Sequence, residues 1–373
     1  MSRLKARAAI IRQEAKTKEQ VGFWPELCQR ISVGQVIPII SNALFNDMIF
    51  DIDGDQIIGM SAGEENPEHW SIEEQLADAW AEQIGFPLGE RFRLARVAMY
   101  DRVINSKDDR EAKRRYLNWL KDSLLFLAGE DNETGLDQIE ELHEDCDQYS
   151  FSDIAVSLGY PKPVKGWRDP LQLLARLRLP IYITTSPFDF LERAIRADHR
   201  EPRTQVCFWS EEPVTYLDKS HKIDYNFVPT PENPLVYHIF GLEAYPESMI
   251  LSEDDYLDFL SAISADTSQE KPILPLNLRK ALAQSSLILL GYRLRDWDFR
   301  IVFRGLVHAT RSSLPKFNLA IQLNPDQQGL VVSADQVCDY LEKYFDSSNF
   351  TVEWGSPYRF IDTLMEEWDK WRR

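Results

Sequence analysis

The sequence has 373 residues, and its 44% hydrophobic content is ample for one large core or two modest ones. A formal net charge of -18 argues against attraction of the whole surface to nucleic acid or anionic lipid. We therefore expect no membrane partner, and nucleic acid only through a second protein that carries it. The four cysteines form no C-x-x-C pair, so the sequence predicts no structural zinc and no other metal site.

The start of the chain, MSRLKARAAIIRQEAKTKEQ, has the pattern of a charged amphipathic helix rather than of a secretory signal peptide. Elsewhere no apolar run approaches the length needed to span a membrane. These two features predict a cytoplasmic protein.

Short apolar runs recur along the rest of the chain. Most are nearly continuous hydrophobic stretches, which is typical of strands that are covered on both faces. The runs are VIPII (36–40), IYITT (181–185), QVCFW (205–209), LVYHIF (235–240), LILLG (287–291), LAIQL (319–323) and TVEW (351–354).

Helical patterns lie between these runs. The stretch SIEEQLADAWAEQIG carries a capping box from Ser71 to Glu74 and a helix stop at Gly85. The stretch DPLQLLARLRL begins with Asp169 as a cap and Pro170 in the first turn, and it leads directly into the next apolar run. The alternation predicts an α/β fold with a Rossmann-like, doubly wound parallel sheet.

One segment breaks the alternation. Residues 88–160 contain two long helical patterns, RFRLARVAMYDRVI and REAKRRYLNWLKDSLLFLAG, and no clear strand. We predict that 88–160 is a helical insertion within a single domain that fills residues 1–373.

Open parallel sheets bind ligands beyond the carboxyl ends of their strands, so the residues that follow each run are candidates for a site. They include a carboxylate, a histidine, an amide and several hydroxyls. Such a set suits the binding of a ribose and chemistry at its anomeric carbon. The candidates are Ser41, Asn42, Thr185, Ser186, Asp189, His238, Gly241, Gly291 and Tyr292.

Several candidates also have a purely structural interpretation. His238 fits a core histidine that is hydrogen-bonded to a backbone carbonyl. Asp189 fits the cap of the helix FLERAIRA. Asn42 and Gly291 fit ordinary turn positions. The residue types alone leave both interpretations open.

The order of the motifs is more specific than their positions. The succession IYITTSPFDFLERAI, PLVYHIFG, SMILSEDDYLDFL and SLILLGYRLRDWDFRIVFRGL resembles the sirtuin-like domain family of bacterial antiphage defence proteins. The resemblance runs from Val36 to the C-terminus, and LLGYRLRDWDFR is its most specific part. It implies a Rossmann-type domain that takes NAD as a substrate and hydrolyses it to nicotinamide and ADP-ribose.

The resemblance also implies roles for single residues. His238 matches the catalytic histidine, with Gly241 completing its H-x-x-G context, and Asp189 matches the aspartate that positions the nicotinamide ribose. Gly291 and Tyr292 match the turn on the adenosine side. On this basis His238 would deprotonate a ribose hydroxyl or the attacking water, and Asp189 would offset the charge of an oxocarbenium-like state.

Two motifs depart from the family pattern. Ser186 follows Thr185 where the family has the catalytic asparagine of T-T-N, and ISNALF stands in place of the glycine-rich G-A-G-x-S loop. Ser41 and Asn42 can donate hydrogen bonds to a phosphate or ribose, but they keep the backbone farther away than glycine does. Asn42 is then the candidate for the amide that Ser186 lacks.

Other functions stay open beside NAD hydrolysis. A zinc-dependent deacylase is disfavoured because its paired C-x-x-C motifs are missing. The departures within the site leave a noncatalytic nucleotide-binding or scaffold subunit of a defence complex as the main alternative. A DNA nuclease subunit is a further one, although the sequence shows no carboxylate cluster for a metal.

Standalone members that the chain resembles are paired with a HerA-type hexameric DNA-translocating ATPase. Because the predicted domain runs to Arg373 without an attached sensor, we expect a homo-oligomer that acts as a defence effector on such an ATPase. The N-terminal helix and the C-terminal helix FIDTLMEEWDKW are the predicted assembly elements, since aromatic residues are enriched at interfaces. Ordinary packing against the sheet is the alternative for both.

Overall fold

The structure is a computed structural model. It describes residues 22–42, 44, 48–49, 72–106, 108–131, 135–163, 168–209, 221–265, 273–292, 301–302, 318–322, 334–346 and 349–373. The helices are α1 (22–32), α2 (Ile72–Gln83), α3 (Leu94–Asn105), α4 (Asp109–Asp131), α5 (Leu136–Glu144), α6 (Phe151–Ser157), α7 (Pro170–Arg176), α8 (Phe190–Ala197), α9 (Glu253–Ala265), α10 (Leu276–Gln284), α11 (Ala334–Asp346) and α12 (Pro357–Trp371). The strands are β1 (Val36–Ile40), β2 (Met48–Ile49), β3 (Lys162–Pro163), β4 (Ile181–Thr184), β5 (Arg203–Val206), β6 (Leu235–His238), β7 (Ser286–Leu290), β8 (Asn318–Gln322) and β9 (Phe350–Trp354).

Seven of these strands form one sheet in the order β5-β6-β4-β1-β7-β8-β9, and every pair in it is parallel. Each of the seven apolar runs in the sequence supplies one strand, with bounds shifted by up to a few residues. The predicted class, an α/β fold with a Rossmann-like parallel sheet, is confirmed. The short strands β2 and β3 form a separate antiparallel pair, which the sequence pattern does not reveal.

Strand β1 lies at the point where the strand order reverses. The chain passes from β1 to β4 on one side, and it later places β7 on the other side. Ile39 is in register with Ile183 of β4 and with Leu289 of β7. Such a switch point opens a crevice outside the carboxyl ends of the strands, because the connections leave in opposite directions.

Helices cover both faces of the sheet, as the continuous apolar runs predict. Alternate residues of β1 show this directly, since side chains of a strand point to opposite faces. Val36 and Ile40 belong to one core cluster, with apolar residues of α1, α7, α8 and α12. Ile37 and Ile39 belong to a second cluster, with residues of α9, α10 and α11. All five residues of β1 are buried.

The local signals in the sequence have the expected structural effects where the structure describes them. The Asp169 carboxylate accepts hydrogen bonds from the backbone N–H groups of Leu171 and Gln172, so it caps α7. Gly85 has a φ of +66°, and α2 ends two residues before it. The predicted capping residue Ser71 lies outside the described residues, as does the segment 1–21.

The described part of residues 88–160 contains the helices α3 to α6 and no strand. The helices α3 and α4 coincide with the two predicted helical patterns, whereas α5 and α6 are two further helices that the sequence analysis does not name. The division of the chain into a single domain with an insertion stays a prediction. These helices lie over the carboxyl edge of the sheet, because α3 and α4 contribute Leu94, Ala95 and Tyr116 to the crevice there. We call α3 to α6 the helical roof.

The C-terminal helix α12 packs its apolar face inside the protein. Phe360, Ile361, Leu364 and Met365 are buried in the cluster that covers one face of the sheet. Beyond them the ring of Trp368 stacks on that of Trp371, with centroids 5.4 Å apart. The apolar face of this helix therefore matches the alternative of ordinary packing, and its use in assembly stays a prediction.

None of the helices in the described ranges is both long enough and apolar enough to cross a membrane.

A buried lysine ties the helical roof to α9. The Lys113 side chain of α4 is 1% exposed, and its ammonium group lies 3.0 Å from the Asp255 carboxylate and 2.6 Å from that of Asp109. The same group lies 5.4 Å from the ring centroid of Trp209. Asp255 also accepts hydrogen bonds from the backbone N–H groups of Leu251 and Ser252, which directly precede α9. Lys113 is therefore the cation of a network in which Lys113 and Asp255 are buried and Asp109 is 38% exposed.

We expect Lys113→Met to lower the free energy of unfolding by about 3 kcal/mol, because it leaves the Asp255 carboxylate buried without its cation. Urea denaturation of wild type and variant measures the change. Lys370→Met is the matched control, since Lys370 is an exposed lysine that also pairs with a carboxylate on its own helix. It should leave the unfolding midpoint nearly unchanged. Equal effects of the two substitutions would contradict the importance of the buried network.

Candidate functional site

The candidate residues lie at or beyond the carboxyl ends of four neighbouring strands, β6, β4, β1 and β7. The backbone N–H of Ser41 donates to the carbonyl of Leu290 at 2.9 Å, and that of Thr185 donates to the carbonyl of Ile40 at 2.9 Å. These bonds continue the sheet ladders by one residue beyond β1 and β4. The loops that follow β1, β4 and β7 therefore leave the sheet side by side.

A crevice opens between this edge and the helical roof. Asn42 and Thr185 contribute polar groups from the sheet side, and Glu73 contributes a carboxylate from α2. Its cavity volume is about 50 Å³, and the crevice is partly open to solvent. Its exposed wall is about equally polar and apolar. It is completed by Leu94, Ala95, Tyr116, Pro187, Phe188, Phe240, Met249, Ile250, Leu251 and Tyr256.

The two departures from the family motifs meet at one hydrogen bond. The hydroxyl of Ser186, which stands where the family has asparagine, donates to Oδ1 of Asn42 at 3.1 Å. The backbone N–H of Ser186 donates to Oγ1 of Thr184 at 3.0 Å, which holds the loop in a tight turn. The amide that the sequence analysis considers as a substitute therefore lies next to Ser186, and its residue lines the crevice.

His238 lies at the end of β6 beneath this loop, and none of its surface is exposed. Its Nδ1 lies 2.9 Å from the backbone carbonyl oxygen of Ser186, and its Nε2 lies 2.8 Å from Oε1 of Glu192. The hydrogen bond to a carbonyl is the one that the structural interpretation of His238 expects. The role of base stays a prediction, and it requires one of these two bonds to break before the ring can take up a proton.

Glu192, the partner of His238, is not among the residues that the sequence singles out. It is fully buried on α8, and its Oε1 also accepts a hydrogen bond from the hydroxyl of Thr204 at 2.8 Å. A signal does exist, because a glutamate beside Leu191 and one turn before Ile195 falls on the apolar face of the helix. A charged residue at such a position needs a buried partner.

Burial alone would neutralise this pair, but the two groups stabilise each other's charge. For His238, burial lowers the pKa, while the Glu192 carboxylate and the hydrogen bonds to Glu192 and Ser186 raise it above its ordinary value. For Glu192, burial raises the pKa, and the nearby His238 with the hydrogen bond from Thr204 lowers it below its ordinary value. Both directions favour an imidazolium and carboxylate ion pair.

Asp189 precedes α8 but does not cap it with its side chain. Its carboxylate lies 2.6 Å from Nε of Arg193, and the same guanidinium lies 2.6 Å from the carboxylate of Asp153 on α6. Asp189 is therefore part of an ion-paired contact with the helical roof. It is not among the described residues that line the crevice. Its predicted role in positioning a ribose stays a prediction.

The backbone around Gly241 requires a glycine at this position whether or not a ligand is bound. Its φ is +86°, and a Cβ at this position would lie 2.2 Å from the backbone oxygen of Ser248. Side chains other than hydrogen cannot fit without moving the backbone. The neighbouring carbonyl of Phe240 accepts a hydrogen bond from the N–H of Ile250 at 3.1 Å, so the two segments run closely together.

The predicted adenosine side is only partly described. Gly291, with a φ of +83°, follows β7 directly and turns the chain at the carboxyl edge. The side chain of Tyr292 is 1% exposed and belongs to a core cluster. The rest of the motif that begins there, residues 293–300, lies outside the described residues. Ser41 is buried, at the start of the turn after β1.

The four cysteines are free thiols, and two of them, Cys28 and Cys207, are buried. Within the described ranges, no group of three or more His, Cys, Asp or Glu side chains is placed to hold a metal ion.

Residues 180–345 match the family model described as SIR2-like domain. The match covers less than half of the chain, and it begins one residue before β4 and ends in α11. It includes Ser186, Glu192 and His238 but not the loop with Asn42. This match supports a sirtuin-like family and an NAD-related function. No curated protein matches the sequence.

A second buried carboxylate ties the roof to the site. Glu243, which follows β6, is 8% exposed and accepts hydrogen bonds from the backbone N–H groups of Phe151 and Ser152 at the start of α6. The hydroxyl of Ser152 also donates to it. Burial outweighs these bonds and raises the pKa of Glu243 from 4.5 to about 7, with a smaller contribution from the charge of Asp189.

We expect Glu243 to make the protein less stable as the pH rises. The folded state keeps the Glu243 proton up to about pH 7, whereas the unfolded state loses it near pH 4.5. The free energy of unfolding should therefore fall across this interval, by about 3 kcal/mol, and this contribution should be constant above it. Urea denaturation between pH 4.5 and 8 measures the slope.

The variant Glu243→Gln cannot titrate, so it should lose this part of the slope even if it is less stable at every pH. Glu201→Gln, at an exposed glutamate, should keep the wild-type slope. Parallel stability curves for wild type and Glu243→Gln would show that this carboxylate does not titrate in the interval.

Proposed function

We propose that this protein binds NAD in the crevice beneath the helical roof and hydrolyses it to nicotinamide and ADP-ribose. The observation that carries the proposal is the position of Asn42. This residue lines the crevice at the switch point of the sheet, beside the loop after β4 that belongs to the SIR2-like match. Switch points of parallel sheets are the usual places for nucleotides.

The side chains that line the crevice suit the two parts of NAD at which the reaction occurs, the nicotinamide ring and the ribose attached to it. Aromatic and aliphatic side chains, among them Phe188, Phe240 and Tyr256, offer a dry surface for the nicotinamide ring. Asn42 and Thr185 offer hydrogen bonds to ribose hydroxyls at the same place. A carboxylate at the crevice, that of Glu73, favours the positive charge that the nicotinamide ring carries in NAD and that then develops on the ribose.

The reaction needs few protein groups. Nicotinamide is a good leaving group, and departure leaves an oxocarbenium-like ribose that a water attacks readily. The main tasks are to hold the ribose, exclude bulk water and stabilise the transient charge. Asn42 and Thr185 serve the first task and the roof serves the second.

One observation favours the alternative of a noncatalytic nucleotide-binding subunit. Both ring nitrogens of His238 contact protein atoms, and the carboxylate of Asp189 is paired with Arg193. A site that only binds a nucleotide needs neither group to be free. Turnover distinguishes the two functions, since binding alone releases no nicotinamide.

We expect purified protein to release nicotinamide from NAD and Asn42→Ala to lower kcat/KM at least about tenfold, because a hydrogen bond to the ribose is lost. Chromatographic measurement of nicotinamide, beside a melting curve, separates turnover from stability. Asn233→Ala is the control, since Asn233 is exposed and precedes β6 at the opposite edge of the sheet. NAD binding without nicotinamide release would favour the noncatalytic alternative.

We also propose that the protein is a defence effector that forms a homo-oligomer on a HerA-type ATPase. The support is the motif resemblance together with the net charge of -18, which suits a partner that itself carries DNA. Cytoplasmic location is part of the same proposal. In this arrangement the ATPase, not this chain, makes the contacts to nucleic acid.

Native mass spectrometry and size-exclusion chromatography with light scattering test this assembly. We expect an oligomer alone and a larger complex with the ATPase. Trp371→Ala should weaken the oligomer if the C-terminal helix contributes, because Trp371 is 41% exposed next to buried Trp368. The exposed Tyr149→Ala on the roof serves as an aromatic control. A monomer without affinity for the ATPase would contradict the proposal.

A further inference from the structure

We infer that Glu192 is a positioning residue for this site: it holds His238 as an imidazolium, and this cation fixes the Ser186 loop and the amide of Asn42. The inference rests on the proposed function, because it assigns the Asn42 amide to the ribose of NAD. Glu192 itself does not touch the substrate in this arrangement. It acts through His238 and Ser186.

The hydrogen-bond partners define where the protons of His238 are. The backbone carbonyl of Ser186 can only accept, so the Nδ1 atom that lies 2.9 Å from it must carry a proton. The Nε2 atom faces Oε1 of Glu192 at 2.8 Å. If Glu192 is ionised, Nε2 must carry a proton as well, and the ring is then a cation.

The surroundings of Glu192 favour its ionised form. Oε1 accepts from the hydroxyl of Thr204 in addition to facing His238, and two donors on one oxygen suit a carboxylate. The other oxygen, Oε2, is buried and has no hydrogen-bond partner among the described residues. A proton placed on Oε2 would therefore be a buried donor without an acceptor, which costs about 1–3 kcal/mol.

A continuous chain of contacts joins this pair to the crevice. His238 holds the carbonyl of Ser186, and the hydroxyl of the same residue donates to Oδ1 of Asn42 at 3.1 Å. Because Oδ1 faces the hydroxyl of Ser186, the inference assigns the amide nitrogen of Asn42 to a bound molecule. An N–H donor at the crevice suits the oxygen atoms of a ribose.

The inference predicts a different pH dependence of the activity from the one expected if His238 is a base. A base must be unprotonated, so its activity rises as the pH increases through its pKa. A positioning imidazolium must be protonated, so activity falls as the pH increases through its pKa. The charged groups that act on His238 are Glu192 and, farther away, Asp189, both at the start of α8. Thr184 of β4 is in register with His238, and Thr204 of β5 hydrogen-bonds to Glu192; both residues are uncharged.

The first test is the pH profile of kcat/KM for NAD. We expect a falling limb on the alkaline side in the wild type, and Glu192→Gln should move this limb to lower pH and reduce kcat/KM at pH 8 at least about tenfold. Glu201→Gln, at an exposed glutamate, should keep the wild-type profile. A rising limb that is unchanged in Glu192→Gln would overturn the inference and would support His238 as a base.

The second test observes the proton directly. In nitrogen-15 spectra of the imidazole rings, the His238 signal, assigned by its loss in His238→Gln, should show both nitrogens protonated at pH 7 and one unprotonated nitrogen in Glu192→Gln. A neutral ring in the wild type would overturn the inference. This measurement does not depend on turnover, so it remains decisive even if the protein does not hydrolyse NAD.

A third test separates a positioning role from an effect on the overall stability of the protein. Ser186→Ala breaks the link to Asn42 but leaves the Glu192 and His238 pair intact, so it should weaken binding of ADP-ribose at least about tenfold in calorimetry while the His238 ring stays doubly protonated. This variant also tests the inference if Glu192→Gln fails to fold. Unchanged ADP-ribose affinity in Ser186→Ala would overturn the inference that Ser186 links His238 to Asn42. Absence of ADP-ribose binding in the wild type would instead contradict the proposed function.

Discussion

The central constraint on this protein is that β1 is buried on both faces between two strands that run in the same direction. A strand in that position must be apolar throughout, and all five of its residues are buried. Its backbone groups are satisfied by β4 on one side and β7 on the other. The three strands therefore end side by side at one edge, and the polar residues Asn42 and Thr185 from the loops that follow them line the crevice there.

The helical roof completes this crevice, and electrostatics attach it. The first turn of α9 presents Glu253, Asp254 and Asp255, a composition that the helix dipole favours at an N-terminus. Arg96 and Arg102 of α3 contact the first two of these carboxylates, while Lys113 of α4 contacts the third. Because only the third contact is buried, it holds the roof whereas the other two are screened by salt.

The sheet could be predicted from the sequence because burial on both faces leaves an unmistakable pattern. Continuous apolar runs become strands, and the residues after them must meet at one edge. The helices α7 and α2 likewise begin and end next to residues with known capping behaviour, Asp169 and Gly85 respectively.

The internal contacts of the site could not be predicted in the same way. Glu192 and His238 are 46 residues apart, and whether they meet depends on how α8 is rotated against β6. Sequence periodicity places Glu192 on the buried face but does not name its partner. The same holds for Asp189, whose position before a helix predicts a cap, whereas Arg193 one turn later takes its carboxylate. Choices between two nearby partners depend on distances that only the folded chain defines.

Gly241 shows how closely the shape of the crevice depends on one backbone position. The segment opposite it continues from Ser248 directly into Met249, Ile250 and Leu251, which form one wall. A methyl group in place of the α-hydrogen would lie 2.2 Å from the backbone oxygen of Ser248, so that wall would have to shift as a unit. The absence of a Cβ atom at Gly241 therefore sets the width of the crevice from a position outside the crevice itself.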